Sequence, residues 1–281
     1  TANGARDAWA TAAMVYVPGS AITELADLAE RHRDALEQAK EPAKFERKHC
    51  VIPTADVDAI LRSRNGIINL FGRMLAQVDD AHVDGAVQVA HSFTTHATDT
   101  EIDYFSAVDD VTDAWADTTG SAHMGQAEHS AGVFYRNVVL DLHDLHANLH
   151  GDLAATRELT AELLRAALLS LPHAKKNSTA PNTIPHLAHL TVRTDRPVSY
   201  AAAFEEPVRA DNVGGHTEPS VRALNDYAAA VQRLLGSGGL RYSAHAALAS
   251  AKAEGLGERI DSFDELITGA LASALPVQET A

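Results

Sequence analysis

Cysteine is almost absent from this chain, since Cys50 is the only one among 281 residues. A single cysteine excludes an intrachain disulfide framework, and a reducing, cytoplasmic setting is therefore expected. The start carries no signal-peptide pattern, and no apolar run reaches the roughly 20 residues that a membrane-spanning helix needs. The sequence therefore predicts a cytoplasmic globular protein without a membrane partner.

Positive charge is the second scarcity. The chain has 23 Lys and Arg against 38 Asp and Glu, and its formal net charge is -15. This balance excludes a protein that coats itself with nucleic acid through bulk charge, and it leaves local binding by clustered cations open. The basic residues are indeed clustered: Lys40, Lys44, Arg47 and Lys48; Arg62, Arg64 and Arg73; Lys175 and Lys176.

Lys and Arg are missing altogether from residues 97–129, which contain eight Asp or Glu. The strip includes TEIDYFSAVDD and lies between two strand-like runs, one with alternating Val87, Val89 and Phe93 and one spanning residues 131–142. Neighbouring strands joined by a long segment usually pair antiparallel, so residues 97–129 are predicted to leave the sheet as an excursion. A connection of this length is usually functional or mobile.

Helical spacing dominates the first 82 residues and returns after the second run. Residues 20–40 predict an amphipathic helix, and residues 56–61 predict a short one behind Pro53, with Thr54 as the candidate N-cap. Further predicted helices cover LHDLHANLH, ATRELTAELLRAALLSL, PSVRALNDYAAAVQRLLG and SFDELITGALASAL, and strands are predicted at HLAHLTVRT and GLRYSAHA. This order predicts an α+β fold with one mainly antiparallel sheet.

Histidines and paired acids suggest an alternative class, a metal-dependent phosphoryl-transfer enzyme or nuclease. His146 and His150 have the i, i+4 spacing of helical zinc ligands and His143 precedes them, but no third ligand is nominated. Asp109 and Asp110 could bind magnesium, yet no phosphate-binding glycine loop accompanies them. An amphipathic boundary face and a solvated acidic loop explain both groups more simply, so we expect no cofactor.

Two basic groups suit a phosphate backbone. Lys44 and Lys48 share one side if residues 42–49 are helical, and Lys175, Lys176 and Asn177 lie together in the loop HAKKNSTAPNT. On composition alone, solubility explains each group equally well.

The run VDGAVQVAHSFTTHATDTEIDYFSAVDD, continued by GSAHMGQAEHSAGVFYR, closely resembles the CasC family of type I-E CRISPR Cascade backbone subunits, within the Cas-seven superfamily. INLFGRML, LPHAKKNSTAP and AFEEPV extend the resemblance over essentially the whole chain. The resemblance implies a non-catalytic subunit that polymerises along CRISPR RNA and holds it for pairing with target DNA. Its implied partners are the CRISPR RNA, target DNA through the guide, neighbouring copies and other Cascade subunits.

The family's fold is a hand with a palm like an RNA-recognition motif, that is, a ferredoxin-like antiparallel sheet, plus a helical finger insertion and a β-hairpin thumb. On this chain the resemblance implies fingers in residues 1–82 and a palm in residues 83–281, with the thumb at 97–129. The implied RNA contacts are Lys44, Lys48, Arg73, Met74, Phe105, Ser106, Lys175, Lys176 and Asn177. Phe105 and Ser106 match the thumb tip, which inserts at a displaced base.

One departure from the family is large, because the palm strand and basic segment that open its members have no counterpart here. The chain also lacks an initiator methionine, so we expect a further portion upstream. A third hypothesis is a purely structural protein that assembles equally well without RNA.

Overall fold

The structure, a computed structural model, describes residues 14–39, 49–75, 78, 80–107, 123–248 and 253–276. Its α-helices are α1 (Gly19–Arg31), α2 (Arg33–Gln38), α3 (Thr54–Leu61), α4 (Gly66–Phe71), α5 (Leu142–Asn148), α6 (Leu153–Leu169), α7 (Lys176–Thr179), α8 (Thr217–Leu235) and α9 (Phe263–Ala274). Short 3-10 helices occupy Ala201–Phe204 and Glu254–Leu256. The strands are β1 (Val87–Val89), β2 (Phe93–Thr94), β3 (Glu101–Ala107), β4 (His123–His129), β5 (Phe134–Tyr135), β6 (Val138–Leu140), β7 (Leu187–Arg193), β8 (Leu240–Ala247) and β9 (Glu258–Arg259).

Helices and small sheets together make the fold α+β, which confirms the predicted class. The single large sheet is wrong for the described strands, which form separate sheets: β1 with β6, β2 with β5, β3 with β4, and β7–β8–β9. The two long strands predicted around the excursion each break into two short ones, and β2 and β5 pair antiparallel as expected. The arrangement typical of an RNA-recognition motif stays a prediction.

The chain forms two compact units. The first consists of Thr1–Gln88 and Val139–Leu159, and the second of Val89–Val138 and Thr160–Ala281. Residues 83–88 and 139–159, which belong to the predicted domain 83–281 rather than to 1–82, lie in the first unit. The assignment of fingers, palm and thumb stays a prediction.

The first unit is built from short helices that bury aliphatic side chains. The buried residues include Ala21 and Leu28 of α1, Ile68 and Leu70 of α4, and Leu145 of α5. Asn65 begins α4 by accepting a hydrogen bond from the Ile68 N–H at 2.9 Å. This cap satisfies a main-chain donor that the first helical turn cannot pair internally.

Helix ends follow the local signals at most positions. Ser262 caps α9 by accepting from the Glu265 N–H at 3.2 Å, and Gly236 ends α8, which agrees with the predicted stretches that begin at Ser262 and end at Gly236. Two details are wrong: the helix predicted over residues 20–40 is interrupted at His32, and Thr54 begins α3 while Pro53 holds the N-cap position. Within the part of the chain that the structure describes, no helix is long and apolar enough to cross a membrane.

The second unit has its core around the three-stranded sheet. β7 and β8 are antiparallel, and β9 joins β8 in parallel. Alanines on one face, Ala188, Ala244 and Ala246, cluster with Leu266 of α9, because small side chains let the helix approach the strands closely. A second cluster contains Ala228 of α8 with Ala253 and Leu256.

Candidate nucleic-acid interface

Arg73 is buried inside the first unit, with only 6% of its surface exposed. Its guanidinium donates to main-chain oxygens, from Nε to Ala81 at 3.1 Å, from Nη1 to Ser63 at 2.9 Å and from Nη2 to Arg62 at 3.3 Å. Burial and the nearby Arg64 cation lower the pKa of Arg73. Since every guanidinium nitrogen already serves the fold, this side chain holds the chain segments together, and its RNA contact stays a prediction.

Gly72 turns the chain at the end of α4, and the side chains of Arg73 and Met74 then point to opposite sides. Gly72 ends α4 with a φ of 78°, where a Cβ would lie 2.7 Å from the Val83 carbonyl oxygen. Arg73 then exchanges two main-chain hydrogen bonds with Val83, each 2.9 Å long. Successive side chains of such extended backbone alternate sides, so Arg73 enters the unit and Met74 is 81% exposed. Met74 is thus available for the apolar contact predicted for it.

Two more apolar side chains are exposed just before Met74. Ile67 and Phe71 occupy α4 at i and i+4, which puts them on one side of that helix. Neither residue was among the predicted contacts, although the i, i+4 spacing within IINLF carries the signal. Exposed apolar groups can cover a base, but they cannot neutralise a phosphate.

Phe105 and Ser106 lie inside β3 rather than at a hairpin tip. β3 and β4 pair antiparallel over seven residues, from Glu101 opposite His129 to Ala107 opposite His123. Neighbouring residues of a strand point to opposite faces, so Phe105 and Ser106 cannot approach a ligand from the same side. They are consecutive paired residues of one hairpin arm, which ends at Ala107, and their insertion at a displaced base stays a prediction.

The two faces of the hairpin differ in character. One carries Ser106 with Ile102, Tyr104 and Met124, of which Tyr104 is 73% and Met124 74% exposed. The other carries Phe105, which is 48% exposed, with Asp103 and Gly125. Met124 was not among the predicted contacts, although alternation along HMGQAEH predicts its face once the pairing is known.

The loop cations remain on the surface. Lys175, Lys176 and Asn177 are all exposed, at the start of the short helix α7. Ser178 and Thr179 donate their hydroxyls to the Lys175 carbonyl at 3.0 and 3.1 Å, which ties the turn to itself. The loop therefore presents two ammonium groups from a locally bonded turn.

Several predicted residues fall outside the described ranges. Lys44 and Lys48 lie in residues 40–48, and Val108, Asp109 and Asp110 lie in residues 108–122. The contacts predicted for them stay predictions.

The structure gives the histidines of the alternative metal site no further ligands. Among the described residues, no group of three or more His, Cys, Asp or Glu could hold a metal. Nδ1 of His146 lies 3.2 Å from the Thr156 hydroxyl. His91 is exposed, whereas His96 is buried and stacks on His216 with ring centroids 3.8 Å apart.

Two facing histidines in the second unit, one buried (His245) and one half-buried (His189), were not predicted. His189 of β7 lies directly opposite His245 of β8, and its Nε2 is 3.1 Å from the Ser243 hydroxyl. Burial, together with His245, lowers the pKa of His189 to about 4. His189 is therefore neutral near pH 7 and belongs to the interior rather than to a phosphate-binding surface.

Comparison with known proteins points in one direction. The model of a family described as CT1975-like protein matches residues 2–269. A solved chain from a "CRISPR RNA-guided surveillance complex, pre-nicking" is similar with a TM-score of 0.83 and 39% identity, over 94% of this chain and 70% of that chain. A chain from a "CRISPR RNA-guided surveillance complex" is similar with a TM-score of 0.66 and 40% identity, over 75% of this chain and 78% of that chain. No curated protein sequence matches.

Proposed function

This chain belongs to the CT1975-like protein family, and on that premise we propose that it is a non-catalytic, guide-RNA-binding backbone subunit of a type I-E CRISPR Cascade complex. The observation that carries the proposal is the 39% identity over 94% of this chain to a subunit of an RNA-guided surveillance complex. Copies of the protein would line up along a CRISPR RNA in the cytoplasm, beside other Cascade subunits. They would hold the guide open for pairing with target DNA.

Exposed apolar side chains suit a protein that must accept any guide sequence. Every base has an apolar face, so a thioether or an aromatic ring can replace base stacking without reading identity. Met74 at 81% exposure and Phe105 at 48% exposure are the two side chains proposed for this contact. Ser106 and Tyr104, on the opposite hairpin face, would meet the neighbouring copy or a second stretch of guide.

Phosphate contacts would come from a few local cations. Lys175, Lys176 and Asn177 are exposed on one loop, and Lys44 and Lys48 are the corresponding proposal for the finger region. Such contacts position a nucleic-acid backbone and carry no sequence information. Because the net charge is -15, the rest of the molecule repels RNA, so binding should depend strongly on these few groups and on salt.

Assembly along RNA requires contacts between copies that need not close into a ring. A head-to-tail interface between identical chains generates an open helix when its rotation does not close. The hairpin of β3 and β4 is proposed to reach the next copy, with its acids facing a basic neighbour.

Copurified nucleic acid provides the first test. We expect the protein purified from cells expressing a CRISPR RNA to show RNA absorbance and to elute as multimers that fall apart after ribonuclease treatment. Multimers that survive ribonuclease unchanged would favour the purely structural hypothesis. Stoichiometric zinc or manganese together with chelator-sensitive nuclease activity would overturn the proposal in favour of the enzyme.

A matched pair of variants then tests the apolar contact in the first unit. Met74→Ala should weaken binding of a fluorescein-labelled mixed-sequence single-stranded RNA by roughly 3- to 10-fold, because one apolar base contact is lost. Leu234→Ala is the control, since Leu234 is a similarly exposed apolar residue at 86% on α8 and has no assigned role. Equal losses for the two variants would remove Met74 from the site.

A further inference from the structure

Gly125 and Phe105 form an unusual cross-strand pair. They lie directly opposite each other in the β3–β4 register. A Cβ at residue 125 would lie 2.4 Å from Cζ of the Phe105 ring and 3.0 Å from each Cε. Two carbon atoms that are not bonded to each other cannot lie 2.4 Å apart. The far end of the ring therefore fills the space that a side chain of residue 125 would need.

Glycine is otherwise a poor choice at this position. Within a strand it loses more conformational freedom on folding than other residues and packs no side chain of its own. Gly125 sits near the middle of β4, in a hairpin arm of seven residues. An aromatic ring laid across a glycine of the paired strand restores the missing packing. The ring and the glycine therefore belong together as one feature.

We propose that Gly125 is a positioning residue that seats the Phe105 ring across the hairpin and so holds it in one orientation before RNA arrives. The inference rests on the proposed function, in which Phe105 contacts a guide base. A free side chain loses rotamer freedom when a ligand immobilises it, and a seated ring has already lost that freedom. The seat therefore raises RNA affinity without touching RNA.

The surroundings of the ring favour a base over a phosphate as its ligand. Asp103, two residues along β3, lies on the same face, and Ala127 lies opposite it. A carboxylate repels a phosphate, whereas the apolar ring attracts the uncharged face of a nucleobase. The face of the hairpin that holds Phe105 therefore takes a base and keeps the sugar–phosphate backbone away.

The seat itself is measured by NMR without any RNA. The chain has 17 glycines, so a sample labelled at glycine Cα gives a simple spectrum in which Gly125→Ala identifies the Gly125 signal. The aromatic ring should shift the Gly125 Hα resonances upfield, and Phe105→Leu should return them to ordinary values. Unmoved Gly125 signals in Phe105→Leu would overturn the seat.

The use of the seat is measured by RNA binding in a double-mutant cycle. Gly125→Ala displaces the ring and should weaken binding of the fluorescein-labelled mixed-sequence single-stranded RNA by about 3- to 10-fold, the cost of immobilising one side chain. In the Phe105→Leu background, Gly125→Ala should have no further effect. Gln126→Ala, on the opposite face of β4, controls for a change in the strand alone and should bind as the unaltered protein does.

The outcomes separate the inference from the function on which it rests. If Gly125→Ala weakens binding equally in both backgrounds, the glycine acts on the strand and the inference is wrong, while RNA binding stands. If Phe105→Leu binds RNA normally although the NMR shift is present, the role of Phe105 in the proposed function fails and the seat has no use. Expected shifts together with a non-additive loss support both.

Discussion

The surroundings of Arg73 and those of Phe105 show two different uses of a side chain that matches a family's RNA contact. Arg73 is 6% exposed, and its guanidinium donates to four main-chain carbonyl oxygens within its own unit, including that of Tyr16 at 3.5 Å. Phe105 is 48% exposed on a two-stranded hairpin, where one glycine receives the end of its ring. Of two side chains that the resemblance implies as RNA contacts, one thus lies inside the fold and the other on its surface.

The largest effect is expected for Arg73, the buried side chain of this comparison. Arg73→Met should lower the free energy of unfolding by about 3 kcal/mol or more, because it leaves four carbonyl groups without their Arg73 donor. Urea unfolding followed by circular dichroism measures the change. Arg73→Lys keeps the positive charge but loses the planar set of guanidinium donors. Its free energy of unfolding should therefore lie between those of the unaltered protein and Arg73→Met. Met74→Ala next to it should change stability by no more than about 0.5 kcal/mol. A small loss for Arg73→Met would break the comparison.

The second prediction concerns His189, a side chain in the interior of the second unit. The pKa of His189 is lowered from 6.5 to about 4. Between these two pH values, the folded state therefore binds fewer protons than the unfolded state. The stability that this gives is complete above pH 6.5 and is lost as the pH falls towards 4, by about 3 kcal/mol in all.

Urea unfolding at a series of pH values measures this loss. His189→Gln should flatten the dependence of stability on pH between 6.5 and 4, because Gln has no proton to gain. His91→Gln, at an exposed position, is the control and should leave the dependence as it is. A profile unchanged by His189→Gln would contradict the buried neutral ring.

The third prediction addresses the exposed end. Phe105→Ala should weaken binding to single-stranded RNA by about 1–3 kcal/mol, roughly 5- to 150-fold, because a stacked base loses its aromatic partner. Its thermal unfolding should stay close to that of the unaltered protein. Phe134→Ala, at another exposed phenylalanine on a short strand, should bind RNA normally. A large loss of stability without weaker RNA binding would mean that Phe105, like Arg73, supports the fold.

The smallest effect is expected from the loop cations, which are proposed to contact phosphate rather than base. Replacing both Lys175 and Lys176 with Ala should reduce the slope of log affinity against log salt by about 1.4, since each phosphate contact with a single strand contributes about 0.7. Arg209→Ala with Arg241→Ala removes the same charge from exposed positions without an assigned role. Equal slopes for the two double variants would assign the effect to net charge alone.

Local features of the fold could be predicted from the sequence. The helix that begins after Ser262 and the helix that ends before Gly236 were predicted correctly, because capping and chain reversal depend on groups within a few residues. The antiparallel pairing of β2 with β5 also follows from two strand-like runs joined by a long segment. The breaks within those runs were not predictable from alternation alone.

The candidate site could be predicted only as a set of positions. Met74 and Lys176 are exposed, as their proposed roles require, whereas Arg73 is turned inward. The direction of Arg73 depends on carbonyl groups of residues 62, 63 and 81, which come together only in the folded first unit. No periodicity within GRML carries that information.

By itself, the sequence determined the fold class, most helix ends and membership of the family, since these depend on local spacing and on the order of blocks along the chain. The tertiary structure decided which of two neighbours, Arg73 or Met74, meets solvent, and that Phe105 and Ser106 occupy opposite faces of a hairpin. It also decided that residue 125 is where the Phe105 ring ends. These outcomes depend on pairing between distant segments, because only pairing fixes the register and the side to which each side chain points.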